Sequence, residues 1–138
     1  MIRPLVLGVV RRGDELLVLE GHDSVKQQTF YRLLGGGIEF GELSEQALHR
    51  EFREELGVEL TDVARCGVLE NVFEYEGVPG HEIVVLYTAS IADPGFYERA
   101  DPGPVLDTGT PVRWLPLADV VAGRAVLYPD GLVDLIAR

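Results

Sequence analysis

The side chains best suited to chemistry lie between residues 35 and 58. Glu51, Glu54 and Glu55 are three and four positions apart, a spacing that puts them on one helical face with neighbouring Cβ atoms about 5–6 Å apart. Like charges at that range repel, and the same segment offers only Arg50 and Arg53 as bases. Arg50 is placed to pair with Glu54, four residues on. Leu48, Phe52 and Leu56 recur every four residues as the expected buried stripe, with Ala47 at its margin. The acidic face therefore borders the core, where unpaired carboxylates cost most. A hard divalent cation such as Mg²⁺ resolves the conflict, because it takes oxygen ligands from a few carboxylates, waters and phosphates. The run Gly35-Gly36-Gly37 offers backbone that can approach an ion or substrate with no Cβ between.

Taken singly, a glutamate cluster is commonly a solvated helix face, and three glycines are commonly a turn. Their joint spacing changes the reading. Gly36, Glu42, Arg50, Glu51, Phe52, Glu54, Glu55, Gly57 and Val58 fill every fixed position of the pattern G-x5-E-x7-R-E-U-x-E-E-x-G-U, where U is bulky and apolar. This pattern, 23 of 138 residues, resembles the signature of the Nudix hydrolases, which cleave nucleoside diphosphates linked to another group. The resemblance implies an α/β fold, a Nudix-type α/β/α sandwich with a mixed β-sheet.

The resemblance also assigns roles to individual residues. Glu51, Glu54 and Glu55, with the carbonyl of Gly35, would hold Mg²⁺, or Mn²⁺ in its place. Arg50 would orient the carboxylates through an ion pair, and Glu42 would steady the site through Arg50 or a metal-bound water. The general base is either Glu54 or Glu82, since Gly80-His81-Glu82-Ile83-Val84 resembles a stretch in ADP-ribose-like members where an outside glutamate joins the site. Tyr75 falls near a tyrosine of relatives that act on dinucleoside polyphosphates; apart from the resemblance, Arg32 and Tyr75, both outside the box, are the candidate substrate contacts. Leu34 stands where proline is common, which alters the loop without removing a ligand. The expected substrate is a small nucleoside diphosphate linked to another moiety, for example ADP-ribose. Alternatives are nucleoside triphosphates, dinucleoside polyphosphates, or a module that senses a nucleotide without cleaving it. A homodimer would be in keeping with similar proteins.

Short apolar runs and turn residues frame the box on both sides. Residues 4–10 and 15–20 are β-rich runs about Arg12-Gly13-Asp14 and read as a hairpin. Residues 23–28 read as a loop, and Thr29–Leu34 as a strand that stops at the glycines. Ser44 is the expected N-cap of a helix from Glu45 to Leu56, and Gly57 its stop. Val63–Phe73 and Glu82–Ile91 are long strand candidates that call for a bulge, joined by a turn at residues 77–80. Residues 93–111 read as a long surface loop. A strand at 112–115 and short helices at 117–122 and 131–137 complete a single domain over residues 1–138.

Composition sets outer limits. The formal charge of −11, from 23 acidic and 12 basic residues, leaves no basic footprint for nucleic acid. No apolar stretch is long enough to span a bilayer as a helix. Cys66 is the sole cysteine, so no intramolecular disulfide forms, and a reducing cytoplasm is the expected location. Cys66 reads as a small core residue and Trp114 as another, while His22, His49 and His81 lack metal-ligand spacing.

Overall fold

The computed structural model describes residues 1–136. Its first strand, β1 (Arg3–Val9), is apolar on both faces, and Leu5 to Val10 are all buried. Such a strand belongs at a sheet's centre. Accordingly, β1 lies antiparallel to β4 (Gln28–Gly37) and parallel to β6 (Val78–Ile91). The expected hairpin is smaller than its two apolar runs suggested. The two-residue β2 (Arg11–Arg12) folds back on β3 (Glu15–Asp23) through Gly13 at φ +56°, while β1 departs to other partners.

The strand order is β2-β3-β4-β1-β6-β5, with β7 (Val112–Pro116) also on β3 and β8 (Leu127–Tyr128) on β4. The parallel β1–β6 and β4–β8 pairs make the sheet mixed, as expected. Strand β4 serves both halves: Gln28–Leu33 pair with β3, and Leu34–Gly37 pair with β1.

That pairing corrects the expectation that the glycines end the strand. They continue β4 in register with β1, and at Gly35 only glycine fits so close to it. Gly35 has φ +145°, and a Cβ there would overlap the Val6 carbonyl oxygen.

Helix α1 (Ser44–Leu56) buries Ala47, Leu48 and Phe52 against Val6, Val10, Leu34 and Tyr87. Leu56, expected in the same stripe, is only half-buried. Ser44 is the first helical residue and not the cap. Its Oγ lies 2.6 Å from the Tyr87 hydroxyl, while Gln46 Oε1 accepts from the backbone N–H of Leu43, the true N-cap. Gly57 ends the helix in the left-handed region, its N–H donating to the Arg53 carbonyl.

Strands β5 (Leu60–Tyr75) and β6 are longer than expected and turn at Glu76-Gly77. The expected irregularity is present, as register shifts between Thr61 and Ala64 and between Arg65 and Gly67. Leu5, Leu7, Val84 and Leu86 face away from α1 and pack with Leu132 and Ile136 of α3 (Leu132–Ile136). The two cores give an α/β/α layering. Ala137, the expected end of that helix, lies outside the described residues. The short α2 (Leu117–Val121) agrees with its expectation. The segment 93–111 is less superficial than expected, for a 3-10 turn over Pro94–Glu98 buries Phe96, and Val105 is buried too. Trp114 is in the core, its indole N–H donating to the Arg99 carbonyl. Among the described residues no helix is long and apolar enough to cross a membrane.

Candidate active site

Arg50 organises the acidic end of α1. Its Nε and Nη2 donate to the two carboxylate oxygens of Glu42 at 2.8 and 2.9 Å, a paired arrangement that fixes both planes. Nη2 also donates to the Gly37 carbonyl at 3.0 Å, tying the helix to the end of β4. Nη1 donates to Glu51 at 2.9 Å and reaches Glu54 at 3.3 Å, with Glu39 at 3.7 Å. The guanidinium holds the Glu42 carboxyl far below its ordinary range, down to about 2, with the Glu39 backbone contact adding to the effect. Those carboxylates in turn raise the Arg50 pKa.

Glu55 turns the other way, toward the glycine run, and accepts from the Gly35 N–H at 3.2 Å. Burial, then the nearby Glu51 charge, push its carboxyl up to about 8, against the opposing Gly35 hydrogen bond. Among the described residues Glu55 has no ion-pair partner within 4 Å. Gly36 lies directly beneath Glu51: a Cβ there would stand 2.6 Å from the Glu51 carboxyl carbon. The glycine is therefore a cradle for that carboxylate.

The residues fit a hard divalent cation. Four carboxylates, Glu39, Glu42, Glu51 and Glu54, surround one guanidinium, with Glu55 at Gly35 nearby, and every donor is oxygen, the set that Mg²⁺ and Mn²⁺ prefer. Among the described residues no three His, Cys, Asp or Glu side chains converge closely enough to enclose an ion. Arg50 draws Glu51 and Glu54 to itself while Glu55 faces Gly35. Gathering them on a cation takes side-chain rotation, which the half-exposed Glu54 can make freely.

Beside this cluster lies a cavity of about 360 Å³ between the β3–β4 pair and the β5–β6 pair. Phe30 lines it, edge-on to Tyr75 at 5.8 Å and to Tyr128 at 5.7 Å between ring centroids. Arg3 and Arg32 connect cavity and cluster. The Arg3 guanidinium lies 3.4 Å from where a Gly37 Cβ would stand, and the Arg32 charge acts on Glu55. Two buried polar residues, Glu82 and Asn71, also line it. Glu82 is 5% and Asn71 6% exposed, with Nδ2 of Asn71 3.4 Å and Arg32 Nη2 3.9 Å from Glu82 Oε1. The far end is closed where two hairpin tips meet. The buried Asp23 carboxylate accepts from the N–H groups of Val25, Lys26 and Glu76, which holds its pKa down.

The structure thus gathers Glu42, Arg50, Glu51 and Glu54 in one cluster, with Gly35 and Glu55 at its inner edge. Arg32, Tyr75 and Glu82 line the cavity instead. Sequence reasoning missed Arg3, Phe30, Asn71 and Tyr128. None has a local signal, since strand pairing brings them together: Arg3 with Glu82 across β1–β6, Asn71 with Glu82 across β5–β6, and Tyr128 with Arg32 of β4, the strand that also carries Phe30.

A NUDIX domain model matches residues 1–135. The chain belongs to the NUDIX family. A 67-residue stretch, 49% of this chain, is 39% identical to the NAD-capped RNA hydrolase NudC of Pasteurella multocida, but spans only 25% of that protein. A NUDIX hydrolase from Nitrosomonas europaea superposes with a TM-score of 0.70 at 20% identity, over 99% of this chain and 87% of that one. A MutT NUDIX hydrolase from Burkholderia pseudomallei gives 0.64 at 20% identity, over 86% and 85%. At such identities the NUDIX structures share the fold. The family and the α/β architecture implied by the glutamate box therefore hold over nearly the whole chain.

Proposed function

We propose that this NUDIX domain is a divalent-metal-dependent pyrophosphohydrolase that cleaves a nucleoside diphosphate linked to another moiety. The observation that carries it is the junction just described. An oxygen-donor cluster crowded on glycine backbone opens, past Arg3 and Arg32, into an aromatic-lined cavity. A diphosphate suits the first part and a nucleoside the second.

Glu51, Glu54, Glu55 and the Gly35 carbonyl are the groups that would hold Mg²⁺ or Mn²⁺. Bound there, the ion supplies charge neutralisation for phosphate oxygens and acidifies water. The chain's own residues do the rest. Arg50, fixed by Glu42 and the Gly37 carbonyl, positions Glu51. Arg3, beside Gly37, neutralises the diphosphate on the cavity side. As the water oxygen bonds to one phosphorus, the bridging P–O bond breaks and the other phosphoryl group leaves. Glu54 Oε takes the proton. Glu54 is preferred to Glu82 as base because both close partners of Glu82, Asn71 and Arg32, are cavity groups.

The name of the NudC relative speaks of a nucleotide cap on RNA. A charge of −11 argues against RNA as this chain's own partner and for a small nucleotide. The test is to incubate the purified chain with Mg²⁺ or Mn²⁺ and a panel of nucleoside diphosphate conjugates, measuring nucleoside monophosphate release. Release from at least one conjugate supports the reading. Binding without product in either metal would replace it with a sensing role.

A further inference from the structure

We infer that Glu82 and Asn71 read the Watson–Crick edge of a nucleobase, and that the base they select is guanine. The inference rests on the hydrolase reading only in placing a nucleoside in the cavity. Asn71 and Glu82 are cross-strand partners on neighbouring strands and share one face. A carboxylate only accepts, so Asn71 must present its amino group to Glu82, as the 3.4 Å contact from Nδ2 to Oε1 shows. Its own carbonyl oxygen, Oδ1, is thereby turned away from Glu82. Among the described residues neither Asn71 Oδ1 nor Glu82 Oε2 makes a hydrogen bond, yet no buried side-chain oxygen lacks a partner. Neither oxygen is therefore sealed from solvent, although each residue is more than nine-tenths buried and lines the cavity.

The cavity floor thus offers two adjacent acceptors. Beside them Arg32, 3.9 Å from Glu82 Oε1, is a donor with unused N–H groups. The complement is a flat edge with two neighbouring donors followed by an acceptor. Guanine has that edge in its 2-amino group, N1–H and O6. Adenine and cytosine each offer one donor beside an acceptor, and uracil offers one donor between two acceptors. A ribose cis-diol also carries two donors, but it lacks the flat ring that the Phe30 wall suits.

Calorimetric titration of the intact chain with GDP, ADP, IDP and dGDP, in EDTA and again with Mg²⁺, tests this. GDP should bind at least about tenfold more tightly than ADP or IDP, since inosine lacks the 2-amino donor. dGDP should match GDP. Glu82→Gln, close in shape, should weaken GDP about tenfold while moving ADP less than about threefold. Equal binding of GDP and IDP, tighter binding of ADP, loss of dGDP binding, no effect of Glu82→Gln on GDP, or no binding of any of the four would each overturn the assignment. Guanine preference without turnover would overturn the hydrolase reading and leave this one standing. Turnover without base preference would do the reverse.

Discussion

Arg50 and Glu42 face each other plane to plane, Nε to Oε2 at 2.8 Å and Nη2 to Oε1 at 2.9 Å, across eight residues of chain. The pair joins the loop before α1 to the helix that carries Glu51, Glu54 and Glu55. Glu42 therefore acts through Arg50, and its removal should leave every proposed metal ligand in place. Glu42→Gln is expected to lower metal affinity or kcat about 10–100-fold, the usual cost of losing a group that orients a ligand. Calorimetry with Mn²⁺ beside steady-state kinetics would read it, and unchanged values for both would remove Glu42 from the site.

The same pair has a signature in acid. The folded-state pKa of Glu42, about 2, lies below its ordinary value of 4.5. A depressed carboxyl stabilises the fold above the unfolded value and loses that contribution as pH falls through the folded one. The stability difference between wild type and Glu42→Gln should thus be constant above about pH 5 and shrink between about pH 4.5 and 2. Denaturant titrations across that window measure it. A difference that grows toward low pH would contradict the ion pair.

The three glycines separate by what lies over them. Gly36→Ala puts a methyl against the Glu51 carboxyl group, so activity should fall about tenfold or more with little loss of stability. Gly35→Ala must hold alanine at φ +145° against the Val6 carbonyl, and should cost about 1–3 kcal/mol or more in stability. Gly37→Ala meets only the Arg3 guanidinium at 3.4 Å and should be mildest. Thermal melts and kinetics on the three variants decide the order.

These glycines also show what was legible in the chain before its structure. The box was readable because its residues are close in sequence, so helical periodicity alone places Glu51, Glu54, Phe52 and Leu56 relative to one another. Leu56 still missed full burial, because it lies at the helix end, where the core thins. Strand pairing was not readable. Whether Gly35-Gly36-Gly37 ends a strand or continues one depends on β1 lying alongside, some thirty residues earlier. Ser44 looked like a cap from its type, but Tyr87, forty-three residues away, takes its hydroxyl. The cavity was hidden for the same reason. Arg3, Phe30, Arg32, Asn71, Glu82 and Tyr128 come from five strands, β1, β4, β5, β6 and β8, and no local pattern marks them.

The most direct test of the central claim is monophosphate release, followed by phosphorus NMR in Mg²⁺, for wild type, Glu54→Gln and Glu55→Gln on the same nucleoside diphosphate conjugate. The account predicts turnover by wild type and a loss of about 10²-fold or more in each variant, with circular dichroism unchanged. Near wild-type rates in both folded variants would contradict it and place the chemistry elsewhere in the chain.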